Sequence, residues 1–295
     1  MSKPFFLRTY RGYKFYVPYL WILPALIYTT IVTLIPAIMA APYSFTNWSI
    51  ISPNWQWVGF KNYIELWRDE RFWQVFQNTL WIVLFSVPIK IILALLFALL
   101  LNQGIKGRVL WQIIYFLPGI TSSVAVAIVW TWLYDPQFGP INGVLRALHL
   151  PESQWLHDPS TALMSVIILI IWQSIGYPIL IFFSGLQGIS QEYYEAASID
   201  GANSWNRLRY ITLPLLKPIF AYLFITAVAG TFHIFEQTYI MEGPLHSTET
   251  LMTYLYRSAF TSLKMGYAEA IAMILFIVNA ILMLTQWKFF FKEVL

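Results

Sequence analysis

The sequence predicts an all-α polytopic membrane protein with six transmembrane helices. Hydrophobic residues make up 58% of the 295 residues and charged residues only 11%, whereas about a quarter of the residues of a soluble domain are charged. The mean hydropathy is +0.61, and apolar stretches of the roughly 20 residues that a spanning helix needs recur along the chain. This composition excludes both a soluble globular domain and a disordered chain.

Six apolar segments carry few charges and are long enough to cross the hydrocarbon core of a bilayer. They lie at Val17–Tyr43, within Gln74–Leu101, at Val109–Tyr134, within Ser160–Ser184, at about Pro218–Ile240 and at about Tyr267–Trp287. The first is too long for a signal-peptide core of about 7–15 residues, so we expect it to be retained. Prolines inside the segments are expected to kink the helices without ending them. Residues 17–290 then form one transmembrane domain between a basic segment at 1–16 and a short tail at 291–295.

The distribution of Lys and Arg predicts that both termini face the cytoplasm. With that orientation, 11 of the 18 basic residues fall on cytoplasmic segments and 6 on the other side, while Lys90 lies within a span. Cytoplasmic segments of membrane proteins carry the excess of Lys and Arg. The basic residues are scattered between apolar segments rather than gathered on one face, so no nucleic-acid partner is expected.

The residue types that catalysis and metal binding require are missing or scattered. The chain has no cysteine, which excludes disulfides, thiolate metal sites and a cysteine nucleophile. No HExxH pair is formed by the histidines, which are His149, His157, His233 and His246. The GxxxxGK(S/T) phosphate loop and the GxSxG nucleophile elbow are also absent from the sequence. We therefore expect a chain that is not an enzyme and has no cofactor or metal of its own.

The segment of about thirty residues at 185–215 differs from the other connections. A loop of this length without structure is uncommon and is usually functional. Ser190 is suited to cap a short helix at Gln191–Ile199, with an acidic residue in its first turn. Gly201 can end that helix in a left-handed conformation.

A second short helix is predicted in the same segment. Ser204 can cap it, and Pro214 is expected to mark its end. Tyr194, Ala197 and Ile199 would form an apolar surface on the first helix with nothing obvious in this chain to cover it. A short helix of this kind is typical of a segment that inserts into a groove of another protein.

The motif pattern of this loop resembles a known family. The run Glu195-Ala196-Ala197, followed by Gly201 and by Ile211-x-Leu213-Pro214, matches in spacing the EAA loop of membrane subunits of binding-protein-dependent ABC importers. Further matches cover nearly the whole chain and resemble the carbohydrate-uptake branch, in particular its maltose-type first permease. They include Val58–Tyr63, Asn78–Leu80, Ala98–Asn102, Gly139–Asn142, Trp155–Leu156 and Gly266–Tyr267.

The resemblance implies the fold of a type I ABC importer permease in a bacterial inner membrane. It also implies partner chains: a second and different permease, two cytoplasmic ATPase subunits that hold ATP and Mg²⁺, and a periplasmic or lipid-anchored solute-binding protein. The EAA loop forms the coupling helix, which sits in a groove of an ATPase subunit. The coupling residues that carry over are Glu195, Ala196, Ala197, Asp200 and Gly201.

Polar and aromatic residues of the fourth and fifth spans are the candidates to contact a solute. They are Trp172, Gln173, Gly176, Tyr177, Thr231, His233, Glu236 and Gln237. Charged residues within a span are costly and by default suggest function. Gly176 equally suits a close helix contact. His233 and Glu236 could instead reach the outer interface, and Lys90 could reach the cytoplasmic interface or pair within the bundle.

Two other function classes are compatible with a six-span protein. A stand-alone secondary transporter of a small polar solute predicts inverted repeats and a coupling-ion site, and a membrane-embedded enzyme predicts a polar constellation at one membrane face. Neither feature is visible in the sequence. A disaccharide, a glycosylated polyol and glycerol phosphate all remain open as the solute. The segments at 44–71 and 135–159 are either contact sites for the binding protein or solvated loops.

Overall fold

The computed structural model describes residues 17–52 and 54–291, so the predicted basic segment at 1–16 and residues 292–295 of the predicted tail lie outside the described residues. Among the described residues, the only extended pairing is a single antiparallel bridge between Thr46 and Trp57. In chain order the helices are α1 (Val17–Thr29), α2 (Ile35–Tyr43), α3 (Lys61–Arg68), α4 (Glu70–Asn102), α5 (Arg108–Ile120), α6 (Ser123–Leu133), α7 (Pro140–Ala147), α8 (Pro159–Ser174), α9 (Gly176–Gln187), α10 (Gln191–Ile199), α11 (Ser204–Arg207), α12 (Leu213–Leu215), α13 (Lys217–Phe232), α14 (Glu236–Ile240), α15 (Leu251–Tyr256) and α16 (Met265–Phe291). Short π-helical turns follow α1, α11 and α15.

The helical fold and the long apolar spans that the sequence predicts are confirmed. Four segments are individually long and apolar enough to cross a membrane, and they are Tyr19–Tyr43, Glu70–Asn102, Lys217–Ile240 and Met265–Phe290. Two further crossings are each made of a helix pair, because α5 meets α6 at a bend of 99° and α8 meets α9 at a bend of 44°. The described residues therefore provide six spans when each bent pair counts as one.

The third span, predicted at Val109–Tyr134 with a proline kink, is broken rather than kinked, because the chain leaves the helical conformation between α5 and α6. Pro118 has no N–H to donate to the carbonyl one turn earlier, and α5 ends two residues after it. Thr121 and Ser122 are extended, with ψ angles of 148° and 124°. The same residue type is accommodated elsewhere, since Pro88 lies inside the uninterrupted 33-residue helix α4.

Helix α4 is the central element of the bundle. Its 33 residues extend over about 50 Å at 1.5 Å per residue, and it packs against α8, α9, α13 and α15. One part of the core joins Val87 and Ala94 of α4 to Phe182 of α9 and Phe232 of α13, all of them fully buried. Burial of these side chains holds α9 and α13 on a common support.

The first span is the least covered part of the described chain. The apolar part of Tyr19–Tyr43 contains no buried residue. Helix α2 packs against α16, whereas the contacts of α1 lie mainly with the π-helical turn that follows it. An apolar helix of this kind needs lipid or another chain around it, since exposing so much apolar surface to water is unfavourable.

Candidate functional site

A cavity of about 570 Å³ lies where helical spans are interrupted. Its walls come from α4, α5, α6, α8, α9, α13 and α14, and its lining includes residues beside the break between α5 and α6, the bend between α8 and α9, and the end of α13. Interrupted backbone at membrane depth is tolerated where it lines a cavity or is buried in protein. The volume falls within the range of about 300–1,000 Å³ that small-molecule sites occupy.

Two buried glutamines connect three helices beside this cavity. The side chain of Gln237 in α14 donates from Nε2 to Gln173 Oε1 in α8 at 2.8 Å. Gln173 in turn donates from Nε2 to Ser123 Oγ in α6 at 3.4 Å. The second polar atom of Gln237, Oε1, is buried and has no hydrogen-bond partner among the described residues. A buried acceptor left unpaired costs about 1–3 kcal/mol, and Gln237 Oε1 is closed to a solute unless its side chain moves.

Histidine, tyrosine and carboxylate groups add to the polar lining. His233 follows the last residue of α13, and its Nδ1 lies 2.8 Å from the Ala229 carbonyl. A carbonyl only accepts, so Nδ1 donates in this contact. The hydroxyls of Tyr177 and Tyr222 lie 2.9 Å apart. Glu236, the first residue of α14, is exposed.

The structure brings together six of the eight residues that the sequence proposes for the solute path. The six that line the cavity are Gln173, Tyr177, Thr231, His233, Glu236 and Gln237. Trp172 instead packs against Trp130, with ring centroids 5.2 Å apart. Gly176 lies where a β-carbon would come within 2.2 Å of the Tyr115 carbonyl oxygen. The absence of a side chain at Gly176 therefore permits the close contact between α5 and α9.

Lys90 also lines the cavity, although it belongs to the second span and not to the fourth or fifth, from which the candidate solute contacts were drawn. It lines the cavity from α4, and only 6% of its surface is exposed. It makes no hydrogen bond or ion pair with any described residue. Among the described residues Lys90 neither reaches the surface nor pairs within the bundle, the two alternatives that the sequence leaves open for it. The sequence does carry a signal, because Lys90 is the only charge in the apolar stretch at 74–101.

The first helix of the long loop, α10, is capped as predicted. Ser190 Oγ accepts the Glu192 N–H at 3.4 Å. Gly201 adopts a φ of 75°, and its N–H donates to the Ser198 carbonyl at 3.1 Å, while the next N–H donates to the Ala197 carbonyl at 2.8 Å. This pair of bonds is the Schellman motif, which ends a helix with a left-handed residue, usually glycine.

The second half of the loop differs from the prediction in two places. Asn203, and not Ser204, caps α11, because its side-chain oxygen accepts the Asn206 N–H at 2.8 Å. Pro214 does not end the helix. A π-helical turn at 208–212 carries the chain into α12, which contains Pro214 and ends one residue after it.

The residues predicted to contact an ATPase lie together on α10 and its carboxyl-terminal cap. They are Glu195, Ala196, Ala197, Asp200 and Gly201, of which all except the half-buried Ala197 are exposed. The predicted apolar surface is smaller than expected, because Tyr194 is half-buried and its hydroxyl lies 2.9 Å from Thr212 Oγ1. Ile199 is 88% exposed. Tyr194 therefore fixes α10 to the rest of the loop, and Ile199 projects away from it.

A buried polar network lies at the opposite end of the bundle. The side chain of Glu249 is 4% exposed and accepts hydrogen bonds from Arg71 at 2.7 and 2.8 Å. It also lies 3.6 Å from Arg257 Nε and 3.1 Å from His246 Nδ1, and Asn78 donates to its backbone carbonyl at 3.0 Å. We call this the network end and the end that carries residues 188–216 the loop end. The network joins α4 to the segments on either side of α15.

A second carboxylate at the network end is held by donors rather than by a cation. Asp69, the cap of α4, accepts the hydroxyls of Tyr254 and Tyr267 and the Arg71 N–H. Burial opposes ionisation of Asp69, but the hydroxyl and backbone donors together hold its pKa below the ordinary value of 3.8. Burial, reinforced by the hydrogen bond to Asp69, raises the pKa of Tyr254 to about 12.

The two segments that the sequence offers as contact sites for a binding protein are both ordered by asparagine side chains. The segment at 44–71 contains α3, where Asn62 donates to two backbone carbonyls at 2.8 and 2.9 Å. The segment at 135–159 contains α7, where Asn142 donates to two backbone carbonyls at 3.0 and 2.9 Å. Both segments join spans at the network end.

Comparisons with known proteins identify the family of this architecture. The sequence profile of the binding-protein-dependent transport system inner membrane component matches residues 69–289. The chain is 35% identical to the probable ABC transporter permease protein YurN of Bacillus subtilis (strain 168), over 93% of this chain and 96% of that protein. It is 34% identical to the multiple sugar-binding transport system permease protein MsmF of Streptococcus mutans serotype c, over 86% of this chain and 88% of that protein.

The fold is also similar to a solved structure. A chain in the crystal structure of a bacterial ABC transporter involved in the import of the acidic polysaccharide alginate superposes with a TM-score of 0.81 and 25% sequence identity. The match covers 94% of this chain and 96% of that chain. With the interrupted spans, the central cavity and the exposed helical loop, these findings show that the chain belongs to the inner membrane components of binding-protein-dependent transport systems, the permeases of ABC importers.

Proposed function

We propose that the chain is the permease subunit of an ATP-driven importer of a carbohydrate or polyol-type solute. The observation that carries the proposal is the cavity, whose exposed Tyr177, His233 and Glu236 and aromatic residue Phe116 suit the hydroxyls and apolar faces of a sugar. The printed descriptions of MsmF and of the alginate importer support this solute class. In this proposal the six predicted residues that line the cavity contact the solute.

Coupling to ATP hydrolysis runs through the loop end. The loop connects α9, which contributes Tyr177 to the cavity wall, with α13, which contributes Thr231. The loop that contains α10 joins α9 to α13, and both of these helices pack on α4. A displacement of α10 is therefore transmitted to both helices and to the cavity walls that they form. Helix α10 contacts a separate ATPase subunit in a helix-in-groove mode. The residues we assign to this contact are Glu195, Ala196, Ala197, Asp200 and Gly201.

The remaining partners follow from the same assignment. The loop end and both termini face the cytoplasm, and the network end faces an extracytoplasmic binding protein, periplasmic or lipid-anchored, that delivers the solute. Residues 17–290 act as one transmembrane domain that makes and breaks no bonds, since ATP and Mg²⁺ are held by two ATPase subunits. A second, different permease covers the open side of the cavity, where His233 and Glu236 are exposed.

The first test is purification of the tagged chain from native membranes in mild detergent. We expect an ATPase subunit and a second six-span permease to co-purify, with ATP hydrolysis stimulated by the solute-loaded binding protein. Glu195→Ala should lower that stimulated rate about tenfold or more, as loss of an interface hot spot does, while the protein still inserts. The matched control is Glu192→Ala, an exposed acidic residue one turn earlier on α10, which should leave the rate unchanged.

Two results would contradict the proposal. A chain that purifies alone, under conditions that preserve other importer complexes, would favour a stand-alone secondary transporter. Normal solute uptake by the Glu195→Ala variant would remove the coupling assignment even if an ATPase subunit co-purifies.

A further inference from the structure

Lys90 lines the cavity without a partner among the residues that the structure describes. The residue is 94% buried, as its 6% exposure shows, and it lines the cavity from the middle part of α4. It forms no hydrogen bond and no ion pair within the described chain. A charge at membrane depth is unfavourable unless it is paired, hydrated or bound to a ligand. The cavity is the opening through which such a partner reaches Lys90.

The other charged and titratable groups of the cavity leave Lys90 unsatisfied. Glu236 and His233 line the cavity from the end of α13 and the start of α14, where both are exposed. Neither forms an ion pair with Lys90 within the described chain. The Tyr177 hydroxyl is engaged by Tyr222 at 2.9 Å. Lys90 therefore lines the cavity without a hydrogen bond to any acceptor among the described residues.

The cavity thus offers an unsatisfied donor to a ligand. The ammonium group of Lys90 donates hydrogen bonds and accepts none. The Oε1 acceptor of Gln237, in contrast, is fully buried. Hydrogen bonds between an ammonium group and an anionic oxygen are shorter and stronger than those to a neutral oxygen. An anionic oxygen is therefore the acceptor that best compensates the burial of Lys90.

We infer that Lys90 binds an anionic substituent of the solute, a carboxylate or a phosphate, in this cavity. The transported solute is then an acidic or phosphorylated carbohydrate rather than a neutral one. This inference rests on the proposed function, because it names the solute class of the same cavity.

The test measures the rate of reductive methylation of Lys90 in the complete importer, purified through this chain and placed in lipid nanodiscs. Peptide mass spectrometry compares Lys90 with Lys61, an exposed lysine of the same chain. The probes are glucuronate, glucose 6-phosphate, glucose, and sodium chloride at matched ionic strength. A ligand at about four times its Kd should slow the labelling of Lys90 roughly fivefold, because only the unoccupied fraction reacts.

The expected result is protection of Lys90, and not of Lys61, by at least one of the two anionic probes, with little protection by glucose or chloride. Protection by glucuronate alone assigns a carboxylate, and protection by glucose 6-phosphate alone assigns a phosphate. Equal protection by glucose and the anions overturns the inference. So does labelling that no probe slows. If Lys90 labels only after the two permeases are separated, the partner permease supplies its counter-ion and the inference is wrong.

A second experiment uses variants and transport-coupled ATP hydrolysis. Lys90→Met keeps the length of the side chain and should lower stimulation by the acidic solute roughly tenfold or more, while Lys90→Arg retains part of it. Lys106→Met, at an exposed lysine of the loop end, should leave stimulation unchanged. An intact Lys90→Met complex that responds normally to the acidic solute would contradict the inference. Loss of the ATPase subunit from the wild-type preparation would instead contradict the proposed function.

Discussion

The network end and the loop end of the bundle differ in how their polar groups are satisfied. At the network end, Glu249 is buried and bonded to Arg71, and further donors hold Asp69. At the loop end, α10 keeps its acidic residues exposed, and Ile199 is 88% exposed. Tyr194 provides one of the few anchors of α10, through its contact with Thr212.

This difference indicates which end of the bundle is stabilised by contacts within the chain and which end depends on contacts with a partner. A buried carboxylate with two arginines nearby is stable only if its surroundings stay fixed, since an unpaired buried charge is costly. An exposed short helix with few tertiary contacts opens at low free-energy cost. The network end therefore acts as a fixed frame, and the loop end as a segment whose order and position depend on what binds it.

The largest expected effect is at the network end. Glu249→Gln removes the charge that Arg71 and Arg257 face, and we expect a loss of about 2–3 kcal/mol of unfolding free energy, below the full value for a buried pair because Arg71 is partly exposed. The matched control is Glu152→Gln, because Glu152 pairs with Arg146 in the same two-bond geometry at an exposed site. That control should leave the free energy of unfolding nearly unchanged, because both partners of the pair are solvated.

Thermal unfolding of the two variants in one detergent measures this difference. Equal shifts of the melting temperature for Glu249→Gln and Glu152→Gln would show that burial does not distinguish the two ion pairs. The network end would then not be a fixed frame.

A smaller effect is expected at the loop end. Gly201→Ala places a side chain at a φ of 75° in open space, so the cost of about 1 kcal/mol comes from backbone strain at the end of α10. Because α10 contributes little to the core, the melting temperature of the permease should hardly change, while solute-stimulated ATP hydrolysis falls. Gly188→Ala, a loop glycine with a negative φ and only ordinary contacts, is the control and should leave both unchanged. A Gly201→Ala variant with a lowered melting temperature and normal solute-stimulated ATP hydrolysis would contradict the assignment of coupling to the loop end.

The smallest effect concerns pH. The pKa of Asp69 is lowered in the folded state, so its carboxylate contributes stability above its unfolded pKa of about 4, and that contribution is lost as the pH falls through the lower folded pKa. The melting temperature of Asp69→Asn should lie slightly below that of the wild type at pH 7. The difference between the two melting temperatures should narrow as the pH drops below about 4. The measurement is a series of melting curves of both proteins between neutral and acidic pH. A difference in melting temperature that does not vary with pH would show that the charge of the Asp69 carboxylate does not contribute to stability.

Local features of the fold were predictable because they depend on neighbouring residues. Hydropathy locates the spans, and the roles of Ser190 and Gly201 follow from capping rules that involve a few adjacent residues. The break after Pro118 was not predictable in the same way. Pro118 interrupts its helix and Pro88 does not, and the difference depends on the packing around each proline rather than on the proline itself.

The candidate site was predictable only in part for a related reason. Gln173 and Gln237 were candidates because polar residues in apolar spans suggest function, yet their mutual hydrogen bond joins residues 64 positions apart. The Arg71–Glu249 pair spans 178 positions, and no local pattern indicates it. Lys90 was visible as a charge, but only the fold shows that it reaches the same cavity as Gln173.

Hydrogen exchange of the importer, measured with and without its ATPase subunits, tests the central claim most directly. The account predicts that the amides of α10 exchange slowly only in the complete complex and rapidly once the ATPase subunits are removed. It also predicts that the amides around Glu249 and the start of α4 are equally protected in both preparations. Protection of α10 that does not depend on the ATPase subunits would contradict the claim that the loop end is where this chain couples to its partner.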